Sequence, residues 1–383
     1  MEKIKIAFLC AVCYSLFNQS VNKGFGGAEV DLYNYARFLA MDERFEVYFY
    51  VGDYDQTSEA EIYDNIRVEK IKLFGRTEKS LSEKVVFYYA LGEKLLNSPA
   101  KIIMTEMANE MTGWAAIYFK LLSKRGYIHR LASDNDAKYT DARSSGRALT
   151  YHLYNFALKK ADLLYTQSTD QQMLLKKHMG FDSLILPHGV FIDKRPRTSD
   201  KKFILWVGRA TEVKQPELFM ELAKLIPDED FFMIMPFEGQ HTSESFRMNL
   251  NEKLKEAKEL SNFRYLDYVP FNEIQGYFDQ AKLFVNTSQY EGFPNTFIQA
   301  CIGGSPIASL NVNPDSFIEK NNVGRYCSSD MTQLIDFIKT LDEKSIDHYG
   351  ENAYRYALEN HDILKIAAGY KESVIELYEK LGS

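Results

Sequence analysis

The sequence predicts an α/β protein made of two doubly wound, mostly parallel sheets. Three observations predict it. The chain, at 383 residues, exceeds one typical domain. Short apolar runs of strand length alternate with stretches of helical periodicity along nearly its whole length. A polar, proline-containing, aperiodic segment, Asp193-Lys194-Arg195-Pro196-Arg197-Thr198-Ser199-Asp200, interrupts that alternation near the middle.

The first series opens with Lys5-Ile6-Ala7-Phe8-Leu9-Cys10, a strand-like run, then a loop, then an amphipathic helix from about Ala28 to Met41. Glu46–Val51, Ile102–Thr105, Tyr127–Leu131 and Leu163–Thr166 read as further strands with helical stretches between them. The polar segment places a domain boundary between residues 195 and 196. A second series follows at once, with strands at Phe203–Val207, Phe231–Met235, Phe263–Leu266, Leu283–Val285 and Ile307–Leu310. The C-terminal stretch reads as helices. No short internal repeat or low-complexity tract appears.

Hydrophobic residues make up 45% and charged residues 26% of the chain, as in ordinary soluble globular proteins. No apolar run reaches the ~18 residues that a membrane span needs. The first apolar run is short and lacks a clear signal-peptide cleavage site, so cytoplasmic residence is expected. Net charge is −7 and uneven: 26 Lys and Arg face 24 Asp and Glu up to Arg195, against 20 and 29 beyond it. The acidic balance argues against nucleic-acid binding. The more basic first half favours an anionic acceptor, or peripheral contact of the N-terminal domain with the inner face of a membrane. Cys10 and Cys13 form a C-x-x-C, but Cys301 and Cys327 make no second one, so two buried thiols are expected there rather than a zinc site or disulfide framework.

The stretch Glu291-Gly292-Phe293-Pro294-Asn295-Thr296-Phe297-Ile298-Gln299 carries the most specific chemistry. A strand-like run ending at Ser288 leads in, and a helix-like run from Thr296 to Ile302 leads out. Pro294 suits a first helical turn, where its missing N–H costs nothing. Gly292 allows close backbone approach to a ligand. Glu291 therefore belongs to a loop between a strand's C-terminal end and a helix start, where open α/β sheets bind ligands and helix N–H groups attract phosphate. Gln299, about two turns on, lines the same crevice.

This stretch resembles the signature of retaining glycosyltransferases of the GT-B fold, family 4: an acidic residue, seven residues, then a second Glu. The resemblance covers nearly the whole chain and implies two Rossmann-like domains facing each other across a cleft. It implies an acceptor-binding domain over residues 1–195, a nucleotide-sugar-binding domain over 196–360, and a terminal helix within 361–383 that packs back on the first domain. In the family the first Glu contacts donor sugar hydroxyls and the second contacts the ribose. Glu291 matches the first position, and Gln299 replaces the second with a carboxamide that can still bond a ribose hydroxyl.

Other elements fit the same resemblance. Gly208-Arg209 follows a strand, with Lys214 five residues after Arg209. The pair is similar to the family's Arg and Lys, which bind the donor diphosphate, and cations there can neutralise a departing diphosphate. Gly24-Phe25-Gly26-Gly27-Ala28-Glu29 resembles the family's Gly-Gly-Ala-Glu element, with Gly26 and Gly27 placed for a phosphate; as a glycine-rich turn it also simply opens a helix. Leu186-Pro187-His188-Gly189-Val190 resembles a Pro-Asn-Gly-Val hinge element, with His188 for Asn. His129, Asp134 and Asp136 lie where family members place a His or Asp near the sugar. His129 reads equally as a core histidine; if it points into the strand, Asp134 and Asp136 are the pocket groups, and which of the three aligns with the family's residue stays open.

The resemblance implies a UDP- or GDP-sugar donor and a glycan, lipid-linked or small-molecule acceptor. It implies no cofactor and no metal, although Asp134-Asn135-Asp136 contains the D-x-D that other glycosyltransferase folds use. Only one cleft carboxylate matches, so a same-face displacement fits better than a double displacement through a covalent intermediate. Two other readings share the fold: a non-catalytic sugar-nucleotide-binding or assembly subunit, and a sugar-nucleotide epimerase.

Overall fold

The computed structural model describes residues 2–18, 20–21, 26–72, 81–138, 148–193, 200–237 and 242–382. The chain divides into two compact units. The first comprises Met1–Phe191 together with Asp362–Ser383, and the second Ile192–His361. The division thus falls just ahead of the expected boundary after Arg195. Most of the polar segment that suggested it, residues 194–199, lies outside the described residues.

The first unit is built on an eight-stranded sheet. Its strands are β1 (Ile4–Leu9), β2 (Phe45–Val51), β3 (Ala60–Tyr63), β4 (Ile66–Lys70), β5 (Ile102–Glu106), β6 (Gly126–Arg130), β7 (Leu163–Thr166) and β8 (Leu184–Ile185). Their order is β3-β4-β2-β1-β5-β6-β7-β8, parallel throughout except for the β3/β4 pair. Every residue of β5 and β6 is buried, as parallel strands covered on both faces require.

The β3/β4 hairpin has no counterpart among the expected strands. Its signal is the two-residue turn Asp64-Asn65, both with positive φ (47° and 64°), the pattern of a tight hairpin turn. The helix Ala368–Gly382 belongs to this unit and buries Tyr370, Val374 and Leu377. Tyr370 sets its hydroxyl 3.2 Å from the Met104 sulfur of β5. At Gly126 a Cβ would meet Leu381 at 2.9 Å, so glycine lets this helix lie close on β6.

The second unit holds six parallel strands: β9 (Phe203–Val207), β10 (Phe231–Ile234), β11 (Phe263–Leu266), β12 (Ala281–Asn286), β13 (Ile307–Ser309) and β14 (Gly324–Tyr326). Their order is β11-β10-β9-β12-β13-β14. The chain winds outward from β9 to β11, then returns to lay β12 against the other side of β9. Trp206, Phe219, Phe231, Leu283 and Val285 fill the core beneath this sheet. Gly304, at φ 62°, ends the helix Asn295–Gly303 in the left-handed conformation that glycine adopts without strain.

Candidate active site

Strands β9 and β12 are neighbours at the point where strand order reverses, and such a switch point opens a crevice beyond the strands' carboxyl ends. Two loops leave the sheet there. After β9 come Gly208 and Arg209, a 3₁₀ turn at Glu212–Lys214, and the helix Pro216–Leu225. After β12 come Thr287 to Pro294 and the helix Asn295–Gly303.

Thr287 stitches the loops together. Its hydroxyl accepts the Trp206 indole N–H at 2.9 Å and donates to the Lys214 carbonyl at 2.7 Å, with the Gln215 carbonyl at 3.0 Å. The Gln289 N–H donates to the Val213 carbonyl at 2.8 Å. Thr287 is fully buried, so leaving these bonds unmade would carry a desolvation cost and the geometry is stiff.

This stitching brings Lys214 onto Glu291. The ammonium pairs with Glu291 Oε2, and the Asn286 amide donates to Oε1 at 2.9 Å. Burial pushes the Glu291 carboxyl up. The Lys214 charge and the bonds from Lys214, Ser288 and Asn286 outweigh it and hold the group below the ordinary carboxylate range. Arg209 is exposed and forms no ion pair among the described residues. The edge thus presents one uncommitted guanidinium beside a paired Lys–Glu couple.

Residues 190–356 match the family model of the glycosyl transferases group 1. That match spans most of the second unit, which is thus similar to a group 1 glycosyl transferase domain. A stretch of 113 residues is also 30% identical to a 2-deoxystreptamine N-acetyl-D-glucosaminyltransferase of Niallia circulans, covering 29% of this chain and 28% of that enzyme's length. Solved structures share the fold over nearly all of the chain. Sucrose-phosphate synthase from Thermosynechococcus elongatus matches with a TM-score of 0.80 at 16% identity, over 99% of this chain and 100% of that one. The Anabaena HepE protein, in complex with UDP and glucose, matches with a TM-score of 0.72 at 14% identity, over 97% and 99%. The architecture is GT-B, with two Rossmann-like units.

Within the second unit the remaining expected residues take these places. Gly292 is buried, and the Phe293 ring packs on Phe317 and His361 with centroids 5.2 Å from each, so Phe293 can offer a ligand only its backbone. Pro294 is the N-cap, with ψ 129°, rather than a first-turn residue; an extended residue must precede the first helical one, and that is Asn295. Asn295 and Thr296 are half-buried in the first turn. Gln299 is half-buried. Its carbonyl accepts from Gln275 at 3.1 Å, and its side-chain amide makes no hydrogen bond among the described residues.

In the first unit the expected residues separate. Gly26 and Gly27 do open the helix Gly27–Ala40, while Gly24 and Phe25 lie outside the described residues. The Gly26 N–H donates to the Glu29 carboxylate at 2.8 Å, so that donor is already spent on the helix's own capping box. His129 is fully buried, with Nδ1 3.0 Å from the Thr105 hydroxyl and the Tyr154 ring 5.5 Å away. Burial lowers its pKa to about 3, so it is neutral. Of the two readings of His129, its burial fits the core histidine. Asp136 is likewise structural, because its carboxylate accepts from the Ala132 and Ser133 N–H groups at 2.8 and 3.2 Å and from the Ser133 hydroxyl at 3.2 Å. Asp134 is half-buried at the start of the helix Asp134–Ala137. Burial, against Lys138 and a bond from Gln171, raises its carboxyl to about 6.

A polar cluster unforeseen from the sequence lies beside them. Arg130 points to the opposite face of β6 from His129, as strand neighbours do, and is fully buried. Its guanidinium donates to Asp31 at 2.8 Å, Glu106 at 2.5 Å and the Leu186 carbonyl at 3.0 Å. His188 pairs with the same Asp31, and Asn34 donates to the Gly189 carbonyl at 2.9 Å. The segment read as a hinge element is therefore tied to the helix Gly27–Ala40. Its one sequence signal is an arginine ending an apolar strand, since a buried charge needs partners.

Burial pushes the Glu106 carboxyl well above its ordinary range, Arg130 pulls it back, and Asp31 adds to the rise. Asp31 is pushed up by burial, but Arg130 and His188 bring it below its ordinary value. Arg130→Met leaves buried carboxyls without their cation and is expected to lower stability by about 3–5 kcal/mol in urea unfolding. Glu106→Gln mimics the protonated acid and should cost little. A raised folded-state pKa stabilises below the ordinary value and is lost as pH rises, so the Gln variant should gain on wild type with rising pH. An Arg130→Met protein as stable as wild type would show that the cluster does not hold this edge.

Among the described residues no group of three His, Cys, Asp or Glu could hold a metal, and no helix is long and apolar enough to cross a membrane. The four cysteines are free and buried.

Proposed function

We propose that the protein transfers a sugar from a nucleoside diphosphate sugar, UDP- or GDP-linked, to a glycan, lipid-linked or small-molecule acceptor, with retention of configuration, in polysaccharide or glycoconjugate biosynthesis. The meeting of Lys214 and Glu291 at the β9/β12 switch point of a unit similar to a group 1 domain carries this reading. The UDP and glucose held by the HepE protein favour UDP as the first base to test.

Arg209 and Lys214 neutralise the diphosphate as it departs. Glu291, held as a carboxylate, accepts from sugar hydroxyls. The backbone at Gly292 and Phe293 and the first turn at Asn295 and Thr296 face the donor, and Gln299 bonds the ribose. Asp134, half-buried with a raised carboxyl, acts near the acceptor. Catalysis proceeds in the cytoplasm, with the N-terminal unit meeting a membrane peripherally when the acceptor is lipid-linked.

A thermal-shift panel of UDP-, GDP- and ADP-sugars tests the reading. One base series should raise the melting temperature, by the equivalent of about 2.7 kcal/mol at a hundredfold excess over Kd. No shift from any of them counts against a donor site. Two cationic side chains supply the charge a metal would otherwise supply, so turnover should survive dialysis against a chelator. Loss restored by a divalent ion would redirect attention to Asp134 and Asp136. Gln299 favours a second reading, a subunit that binds sugar nucleotide without turning it over. Binding without product under every acceptor condition would select it.

A further inference from the structure

Glu291 takes grips of two kinds, from Asn286 and Ser288 and from Lys214. One is built into the sheet. Asn286 ends β12, is 4% exposed, and donates to Glu291 Oε1. Its own Oδ1 accepts the Ser288 N–H at 3.1 Å, which fixes the amide with its nitrogen toward Glu291. The Asn286 carbonyl accepts from the Leu310 N–H at 2.9 Å.

The other grip is Lys214 on Oε2. That side chain is 22% exposed, sits on a 3₁₀ turn, and carries its charge on a flexible stem. Lys214 therefore has two claimants: Glu291, and an incoming diphosphate, which bears more negative charge than one carboxylate. The exposed Arg209, five residues before it on the same loop, draws such an anion to the same edge.

We propose that Asn286 is a fixed positioning residue for Glu291 and Lys214 a displaceable one, released to the diphosphate when donor binds. This rests on the donor reading above. Release frees Oε2 to accept a sugar hydroxyl, while Asn286 keeps the carboxylate aimed. Glu291 accordingly competes with the diphosphate for Lys214, and weakens the binding of a nucleoside diphosphate that brings no sugar.

Calorimetric titration of the full chain tests this, with UDP and GDP, then with UDP-glucose and GDP-mannose. Glu291→Gln should bind the preferred nucleoside diphosphate about fivefold to tenfold more tightly than wild type, the scale of a partly buried ion pair released. In a Lys214→Met background the same change should add nothing beyond about twofold, since the competed cation is gone. Unchanged or weaker binding by Glu291→Gln overturns the exchange. Equal tightening in both backgrounds also overturns it, because a general field effect would then suffice.

For Asn286, Asn286→Leu should keep nucleoside diphosphate affinity within about twofold of wild type, and cut the extra affinity contributed by the sugar by about tenfold. Equal loss on both ligands would make Asn286 merely structural. The two arms are independent, so misfolding of the leucine variant leaves the Glu291 arm decisive. A folded wild type that binds neither UDP nor GDP fails the donor reading itself, and the exchange falls with it.

Discussion

Alanine at both Arg209 and Lys214 is expected to lower kcat/KM by on the order of 10²-fold or more in a protein that still folds, the scale for lost charge stabilisation of a departing group. The structure gives the two cations unequal parts. Arg209 is exposed and unpaired among the described residues, so its loss removes only what it offers a ligand. Lys214 also neutralises Glu291, and its loss leaves a carboxylate that is 15% exposed without its cation. Lys214→Ala should therefore raise the Glu291 pKa, because Lys214 is the largest influence opposing burial there. A carboxylate required for turnover is lost as pH falls through its pKa, so the acid limb of the rate profile should move to higher pH in that variant. Steady-state kinetics with thermal melts check both points, and near-normal kcat/KM in a folded double variant would end the diphosphate assignment.

Glu291→Gln should act mainly on kcat, falling by on the order of 10²-fold, because its carboxylate meets the sugar near the reacting carbon. Gln299→Ala should act mainly on donor KM, raising it by about threefold to tenfold, the scale of one neutral hydrogen bond present in ground and transition states alike. The geometry supports separate roles: Glu291 is gripped from both oxygens in the loop, whereas the Gln299 amide lies on the helix and is unengaged among the described residues. Gln299→Glu should retain or improve donor affinity. Initial-rate kinetics over donor concentration separate the cases, and an unchanged kcat in folded Glu291→Gln would remove Glu291 from the sugar.

Much of this was legible without coordinates, because it is local. Apolar runs of strand length between helical stretches placed most of the central strands, including β9 and β12, to within two residues. The motif from Glu291 to Gln299 marked a strand–loop–helix junction, and the chain makes one there. The Asp64-Asn65 turn that joins β3 to β4 is equally local, but the short, half-exposed β3 carries little apolar signal.

What the sequence determined by itself, then, was the alternation of elements, the two units and the residue types at each strand end, since periodicity and turn chemistry act over a few neighbours. Tertiary structure alone decided which of those ends meet. Lys214 reaches Glu291 only because β12 returns to the side of β9 opposite β10, and a strand order is set by packing between distant segments. The same holds for Arg130, whose partners Asp31, Glu106 and Leu186 come from three other parts of the chain. It holds also for His129, which the fold buries, and for Asp136, whose carboxylate is bonded by Ala132 and Ser133. A buried charge or polar group takes whatever partners the fold brings within reach, and reach across a sheet is invisible to spacing along the chain.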